Sequence, residues 1–466
     1  MSLVTPTALA AARAIVVALI SVSAALRALR WLRQLSPLAL RRAFAATAIV
    51  FFTPAMLAGY CWLPTVARWP AGSAAREIFY AAMLCVRFTP VAALALWAAN
   101  PGPGTTAAHC ARLAGSATAR WRVRELGTAP WLAAGVVFLF AFQEFDLATS
   151  WGIRTWTVAL FDAQIGGLAL RESLRLALPA LCVELTIIAP LLIVVGKLRA
   201  PKPERVRLIP PGCLPSLLQC TAAPALFIVL PAWFLLGLGL DGFAPWLRDF
   251  TLAREMTNSL LLAIVCALLA WLLSAFAEKR AALVLAVPGL LGPLLLSLLI
   301  FAMMHPFDWL DRDDVRNSTT LALVESLLRP PLEALGRTSL PLVASLVLQL
   351  LPLALLLRAL LRLGAEPAAL HIARNSGARA AEWTLSHGPA AGAVLLLFGV
   401  AYSDFTAGTL LAPPQFTTVF ARIFNLMHYG QGSVLSASLL IAVATPLLCL
   451  WLTRRLLRLY VARRVR

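Results

Sequence analysis

Four acidic residues interrupt otherwise apolar stretches of this chain. Glu144 and Asp146 fall in Phe142-Gln143-Glu144-Phe145-Asp146, Glu184 in Val183-Glu184-Leu185, and Asp404 in Ser403-Asp404-Phe405. A carboxylate among apolar residues can relay a proton, offset the charge of a cation in transit, or pair with a base such as Arg87. An ionised group at the centre of a bilayer costs about 2.5–3.5 kcal/mol on insertion scales, so it faces a cavity or a partner. Basic chemistry lies elsewhere, in a pattern that occurs twice. His109-Cys110-Ala111-Arg112 is followed by Gly115, Ala119 and Trp121, and His371-Ile372-Ala373-Arg374 by Gly377, Ala381 and Trp383. Each copy precedes an apolar run that ends in an acid before Phe.

Other chemistries find no residues to carry them. The three lysines, Lys197, Lys202 and Lys279, lie outside any phosphate-binding GxxxxGK followed by Ser or Thr; Gly196-Lys197 is followed by Leu198. Neither His109 nor His371 has a second ligand three or four residues on, and the eight cysteines form no CxxC, so no metal site is expected. With no recognisable Ser/His/Asp set or paired catalytic carboxylates either, the expectation is a protein that is not an enzyme.

The elements that position these residues are membrane spans. The 466 residues are 61% hydrophobic and only 13% charged, too apolar for an ordinary soluble protein. A spanning helix needs about 20 mostly apolar residues. Eleven stretches qualify, near 8–26, 43–63, 76–98, 131–150, 172–196, 219–241, 256–277, 281–305, 337–361, 388–411 and 431–453. The expected fold class is an all-α polytopic membrane protein. The net charge of +19 falls in short blocks between spans, such as Arg27-Arg30-Arg33 and the tail from Arg454 to Arg466. That distribution sets topology and argues against a nucleic-acid surface. The positive-inside rule puts the basic loops and the C-terminus in the cytoplasm, and with eleven spans the N-terminus outside. The first span reads as an anchor, because its positive charges follow the apolar run. The loop 306–336, with Asp308, Asp311, Asp313 and Asp314, falls outside and is expected to form short helices.

Aligning the repeated loops divides the chain into 1–200 with about five spans, a cytoplasmic linker 201–216 rich in proline and basic residues, and 217–466 with six spans. Both loops come out cytoplasmic, so the repeats run parallel. Each loop reads as a short amphipathic helix interrupted by glycine, and the second closes on Gly388-Pro389 before the next span.

These loops resemble those of the permease subunits of binding-protein-dependent ABC importers. That family has Glu-Ala-Ala, three residues, Gly, then about a dozen residues to Leu-Pro. Here the second copy reads His371-Ile372-Ala373, three residues, Gly377 and on to Pro389; the first reads His109-Cys110-Ala111, three residues, Gly115. The stretches Asn258-Ser259-Leu260, Val287-Pro288-Gly289 and Leu411-Ala412-Pro413-Pro414 through Phe424 are also similar to the family. Two such units in one chain resemble the fused permeases of the ferric-iron and thiamine group. The chain departs from the pattern in having His for Glu in both loops, a Gly-to-Pro spacing about one residue short, and eleven spans where twelve are usual.

The resemblance implies a type I ABC importer permease of the bacterial cytoplasmic (inner) membrane. His109, Ala111, Arg112, Gly115, His371, Ala373, Arg374 and Gly377 would form coupling loops. Their partner would be a cytoplasmic ATP-binding subunit, acting as a dimer, so that ATP is bound by the partner and the chain holds no cofactor. A periplasmic binding protein would deliver the solute, with ferric iron foremost. Glu144, Asp146, Glu184 and Asp404 are the translocation-pathway candidates, and membrane lipids the surrounding solvent. Three alternatives stay open: an importer of thiamine or another small solute, a proton-coupled secondary carrier working through Glu144, Asp404 and Glu184, and a permease remnant that has lost coupling.

Overall fold

The computed structural model describes residues 3–32, 50, 53–99, 128–197, 221–248, 250–276, 279–308, 319–364, 367–377, 379–383, 385, 388–428 and 432–465. Among the described residues every regular element is helical, with no strand. This follows from the solvent: in lipid only a helix satisfies its own backbone within one apolar segment. Among the described residues eight helices are long and apolar enough to cross a membrane: Val4–Leu29, Ala74–Trp97, Ala129–Ser150, Leu170–Val194, Thr221–Arg248, Thr251–Phe276, Leu340–Ala359 and Gly432–Thr453. The chain is a polytopic membrane protein.

These eight coincide with eight of the eleven expected spans, and the other three take different forms. The stretch 281–305 is two helices, Val284–Leu290 and Gly292–Met304, bent by 105°. Over 388–411 the first helix stops at Tyr402 after 15 residues. Over 43–63 the described part is a 12-residue helix, Ala55–Val66, and residues 33–49 lie outside the description, as does the linker 201–216.

Two compact units divide the chain, one of Met1–Gly167 with Arg175–Pro231 and one of Leu168–Leu174 with Ala232–Arg466. The first contains α1 (Val4–Leu32), α2 (Ala55–Val66), α3 (Ala74–Ala99), α4 (Ala129–Phe142), α5 (Asp146–Ser150), α6 (Trp156–Ile165) and most of α7 (Leu170–Lys197). Helices α1, α3 and α4 pack on one another, and α2 packs on α5. Arg13 of α1 pairs with Glu77 of α3 at 2.8 Å and lies 5.1 Å from the centre of the Tyr80 ring. Arg76 gathers helix ends: its guanidinium donates to the carbonyls of Trp151 at 3.2 Å, Val66 at 3.3 Å and Trp69 at 2.7 Å. Trp151, 1% exposed, donates its indole N–H to the Gly59 carbonyl at 2.8 Å and meets the rings of Phe79 and Tyr80.

Helix α8 (Thr221–Arg248) begins in the first unit and contains a π turn over Ala225–Val229. In that register the partner of the Leu226 carbonyl would be the N–H of residue 231, which is proline and has none. The indole of Trp62 on α2 supplies the missing donor at 3.0 Å.

The second unit continues with α9 (Phe250–Phe276), α10 (Lys279–Leu290), α11 (Gly292–Met304), α12 (Thr319–Gly336), α13 (Leu340–Gly364), α14 (Pro367–Asn375), α15 (Arg379–Glu382), α16 (Gly388–Tyr402), α17 (Thr406–Leu410), α18 (Val419–His428) and α19 (Gly432–Val465). Here α9, α13 and α16 pack on one another, and α11 packs on α17. Helix α10 approaches α13 so closely that a Cβ on Gly289 would collide with the Leu348 carbonyl and the Pro352 ring. Arg358 of α13 closes the end of α9, donating to the Trp271 carbonyl at 2.7 Å and to Ser274 Oγ at 3.0 Å. Part of the loop expected to form short helices is α12, a single helix of 18 residues.

Arg76→Ala should remove a donor from three carbonyls, of which Val66 keeps the Trp69 N–H at 3.1 Å. Hydrogen bonds to a charged group contribute about 1.5–3 kcal/mol each at most, and water at the helix ends recovers part. We expect a net loss of about 2 kcal/mol, read as a lower thermal midpoint in detergent. An unchanged midpoint would show that the helix ends need no such tie.

Candidate functional site

Helix α4 ends at Phe142, the chain breaks over Gln143–Phe145, and α5 starts at Asp146. A new helix start inside a membrane protein exposes N–H groups that have no intrahelical acceptor. Glu144 fills that need. Its Oε1 accepts from the Leu147 N–H at 2.7 Å and its Oε2 from the Ala148 N–H at 3.2 Å. The Tyr80 hydroxyl donates to the same Oε2 at 2.7 Å, and the carboxylate is only 7% exposed. The Thr157 hydroxyl donates to the Glu144 carbonyl at 3.1 Å.

Asp404 does the same in the second unit. Helix α16 ends at Tyr402, and Asp404 Oδ2 accepts from Ala407 N–H at 3.0 Å and Gly408 N–H at 3.3 Å at the start of α17. The match extends to the flanking rings. Phe138 stacks on Phe142 at 5.5 Å, and Phe398 on Tyr402 at 5.9 Å. The Phe after each acid meets the helix beyond the short one, Phe145 with Phe161 of α6 at 4.7 Å and Phe405 with Phe424 of α18 at 4.4 Å. That helix is in each case capped by threonine: Thr155 Oγ1 accepts from Val158 N–H at 3.2 Å, and Thr418 Oγ1 from Ala421 N–H at 3.4 Å.

The remaining acids behave differently. Glu184 is wholly buried in α7, with Gln143 as its polar neighbour, and among the described residues neither carboxyl oxygen has a partner in hydrogen-bonding geometry. Asp146 opens α5 and is half-buried. Arg87 pairs with neither Glu184 nor Glu144; its guanidinium lies beside the Phe88 ring, 5.9 Å from the centre. Among the described residues no three His, Cys, Asp or Glu side chains lie together as a metal would need.

The two loops can be followed unequally. His109, Ala111, Arg112 and Gly115 lie outside the described residues. The second loop is a helical hairpin of α14 and α15. Gly377 sits at the turn with φ +66°, where an L side chain is strained, and its N–H closes the helix end on the Arg374 carbonyl at 3.2 Å. Arg374 Nε donates to Glu382 Oε1 at 2.9 Å and ties the two arms. Ala373 is buried, while His371, Ile372 and Arg374 are exposed, and His371 Nε2 lies 2.9 Å from the Asn375 amide. Helix α15 packs on α19.

Several polar partners were not singled out by sequence reasoning. Arg13 was legible as a charge inside an apolar run, but nothing in its neighbours announced Glu77. Tyr80, Thr155, Thr157 and Thr418 carry no signal of their own, because tyrosine and threonine are common in spans and only the acid they serve gives them a role.

Comparison with known proteins finds no matching family model, no similar characterised protein and no similar solved structure.

If Asp404 acts as a cap, Asp404→Asn keeps an acceptor oxygen and should lower thermal stability in detergent by less than about 0.5 kcal/mol. Asp404→Ala should cost about 1–2 kcal/mol. Equal losses for both variants would show that the charge, and not the acceptor, matters there.

Proposed function

We propose that the chain is the membrane-spanning permease of an ABC importer, made of two parallel, homologous units of type I architecture. The reading rests on one observation above the others: an exposed helix–glycine–helix hairpin at 367–382, carrying the loop pattern His371, Ala373, Arg374 and Gly377, followed by a helix broken at an acid before Phe. The acid-capped break recurs after the first loop, at Glu144, which supports duplication of the whole unit. In this reading eleven helices cross or enter the bacterial cytoplasmic membrane, with the N-terminus outside and the C-terminus in the cytoplasm. The hairpin and the loop around His109, Ala111, Arg112 and Gly115 dock on a dimeric ATP-binding subunit, which supplies the energy. A periplasmic binding protein delivers the solute, and ferric iron is the solute to test first, with thiamine next.

A second reading has one observation in its favour. Glu184, buried with both carboxyl oxygens unpartnered among the described residues, suits a proton-coupled carrier.

The deciding experiment is purification of the tagged chain from its native membrane in mild detergent, with assay of ATP hydrolysis in what accompanies it. We expect an ATPase to co-purify and Arg374→Glu to reduce its recovery about tenfold, with membrane insertion intact. The same variant also breaks the Arg374–Glu382 tie, so the swap Arg374→Glu with Glu382→Arg serves as control. It restores the ion pair, worth about 0.5 kcal/mol at an exposed site, while leaving the docking charge reversed, and it should remain defective. Recovery of wild-type chain alone, folded and without hydrolysis, would favour the carrier.

The turn gives a separate expectation. Gly377→Ala forces an L side chain into the left-handed region at a cost of about 1–2 kcal/mol, loosening the hairpin and lowering ATPase recovery. The thermal midpoint of the membrane spans should not move.

A further inference from the structure

We propose that α12 lies in the plane of the bilayer interface, its apolar face inserted among the acyl chains near the headgroups. Its place in the chain brings it there. Only residues 337–339 separate Gly336 from the span that begins at Leu340, and α12 packs against α11 and α13. At 1.5 Å per residue it is about 27 Å long, yet it is not itself among the membrane-crossing helices.

Its two faces are sharply divided. On a helical projection Leu323, Leu327, Val324, Leu335 and Leu328 fall within an arc of about 140°. They are 62%, 66%, 41%, 37% and 48% exposed, comparable with Leu261 at 59% and Leu272 at 54% on the membrane-crossing α9. The opposite arc holds Glu325, Arg329 and Glu333 at spacings of four. Arg329 bonds Glu325 at 2.6 Å and Glu333 at 2.9 Å and reaches Asp308 at 3.9 Å. The polar face thus satisfies its one base within itself and keeps a net negative charge, while the apolar face is left uncovered.

Two features favour lipid over a protein as its cover. Pro330 lies inside the helix and removes the N–H partner of the Ser326 carbonyl, at a position outside the apolar arc. That carbonyl needs water, which the headgroup region supplies and a tightly packed apolar protein surface does not. In addition, the helix carries two acids and one base, so attachment depends on apolar area and not on anionic headgroups.

Site-directed spin labelling in phosphatidylcholine proteoliposomes tests this, independently of any ATPase. In a background with the eight native cysteines replaced, nitroxides are placed at Leu323→Cys, Leu327→Cys, Ser326→Cys and Glu333→Cys. We expect oxygen collisions to dominate at 323 and 327, and collisions with a water-soluble nickel chelate at 326 and 333, unchanged when phosphatidylglycerol is added. Nickel access at 323 and 327 equal to that at 326 would overturn the proposal in favour of a solvated helix. Low access to both reagents at 323 and 327 would overturn it in favour of a protein partner. Should the cysteine-free background fail to fold, a diazirine residue at position 327 of the otherwise native chain gives the same decision: lipid adducts support the proposal, and protein adducts refute it.

Discussion

A helix that stops and restarts within lipid leaves backbone N–H groups with no water to take them, and each such group costs several kcal/mol if left bare. This constraint organises both units. Where α4 gives way to α5, and α16 to α17, one carboxylate set three residues ahead of the first exposed N–H accepts two of them. Once the acid is fixed there, the Phe that follows is thrown onto the helix beyond the short one, and the aromatic residue two positions before the acid, Phe142 or Tyr402, terminates the helix ahead of the break. The short helices are thus consequences of the caps, since five residues cannot hold a helix by themselves.

The ends of α2 and α5 and the last turns of α9 follow the same rule with opposite charge. Carbonyl groups collect at C-termini, where the helix dipole favours cations, and there the donors are guanidinium groups: Arg76 at the ends of α2 and α5, Arg358 at the end of α9. A neutral defect receives a neutral donor, as the indole of Trp62 meets the Leu226 carbonyl that Pro231 cannot serve. Glu144, Asp404, Arg76 and Arg358 are thereby each matched to the sign of the backbone group they cover.

This explains what could and could not be read from the sequence. Spans such as Leu170–Val194 were plain, because hydropathy alone decides them. The breaks were not, because Gln143-Glu144-Phe145 leaves an apolar average almost unchanged while Glu144 reverses the local backbone accounting. The acid before Phe is visible twice in the sequence, where it suits a proton relay, a cation in transit or an ion pair; its engagement with Leu147 and Ala148 depends on a turn that no periodicity encodes. Gly377 was legible as a bend because its positive φ excludes most other residues, whereas the tie from Arg374 to Glu382 spans the turn and needed the folded hairpin. Residues 306–336 were read as polar from their acids, although 319–336 carries a leucine face as well.

The caps also bear on the two proposed readings. A carboxylate that holds two N–H groups, and in Glu144 a tyrosine hydroxyl too, cannot turn to a passing cation without uncovering a helix start. Glu184 holds no helix start: its polar neighbour is Gln143, and among the described residues neither oxygen has a partner in hydrogen-bonding geometry. It has no twin, however: counted from the starts of α7 and α19, its position corresponds to Pro446. A relay running through equivalent acids in two duplicated units would need that twin. The features that do recur are the loop pattern and the capped break behind it. In the second unit the hairpin is joined to the membrane helices through α15 on α19 and by the short connection into α16. A sequence pattern that recurs ahead of two internally satisfied helix breaks fits the proposed permease, driven by a separate subunit, better than a carrier that relies on a single buried glutamate.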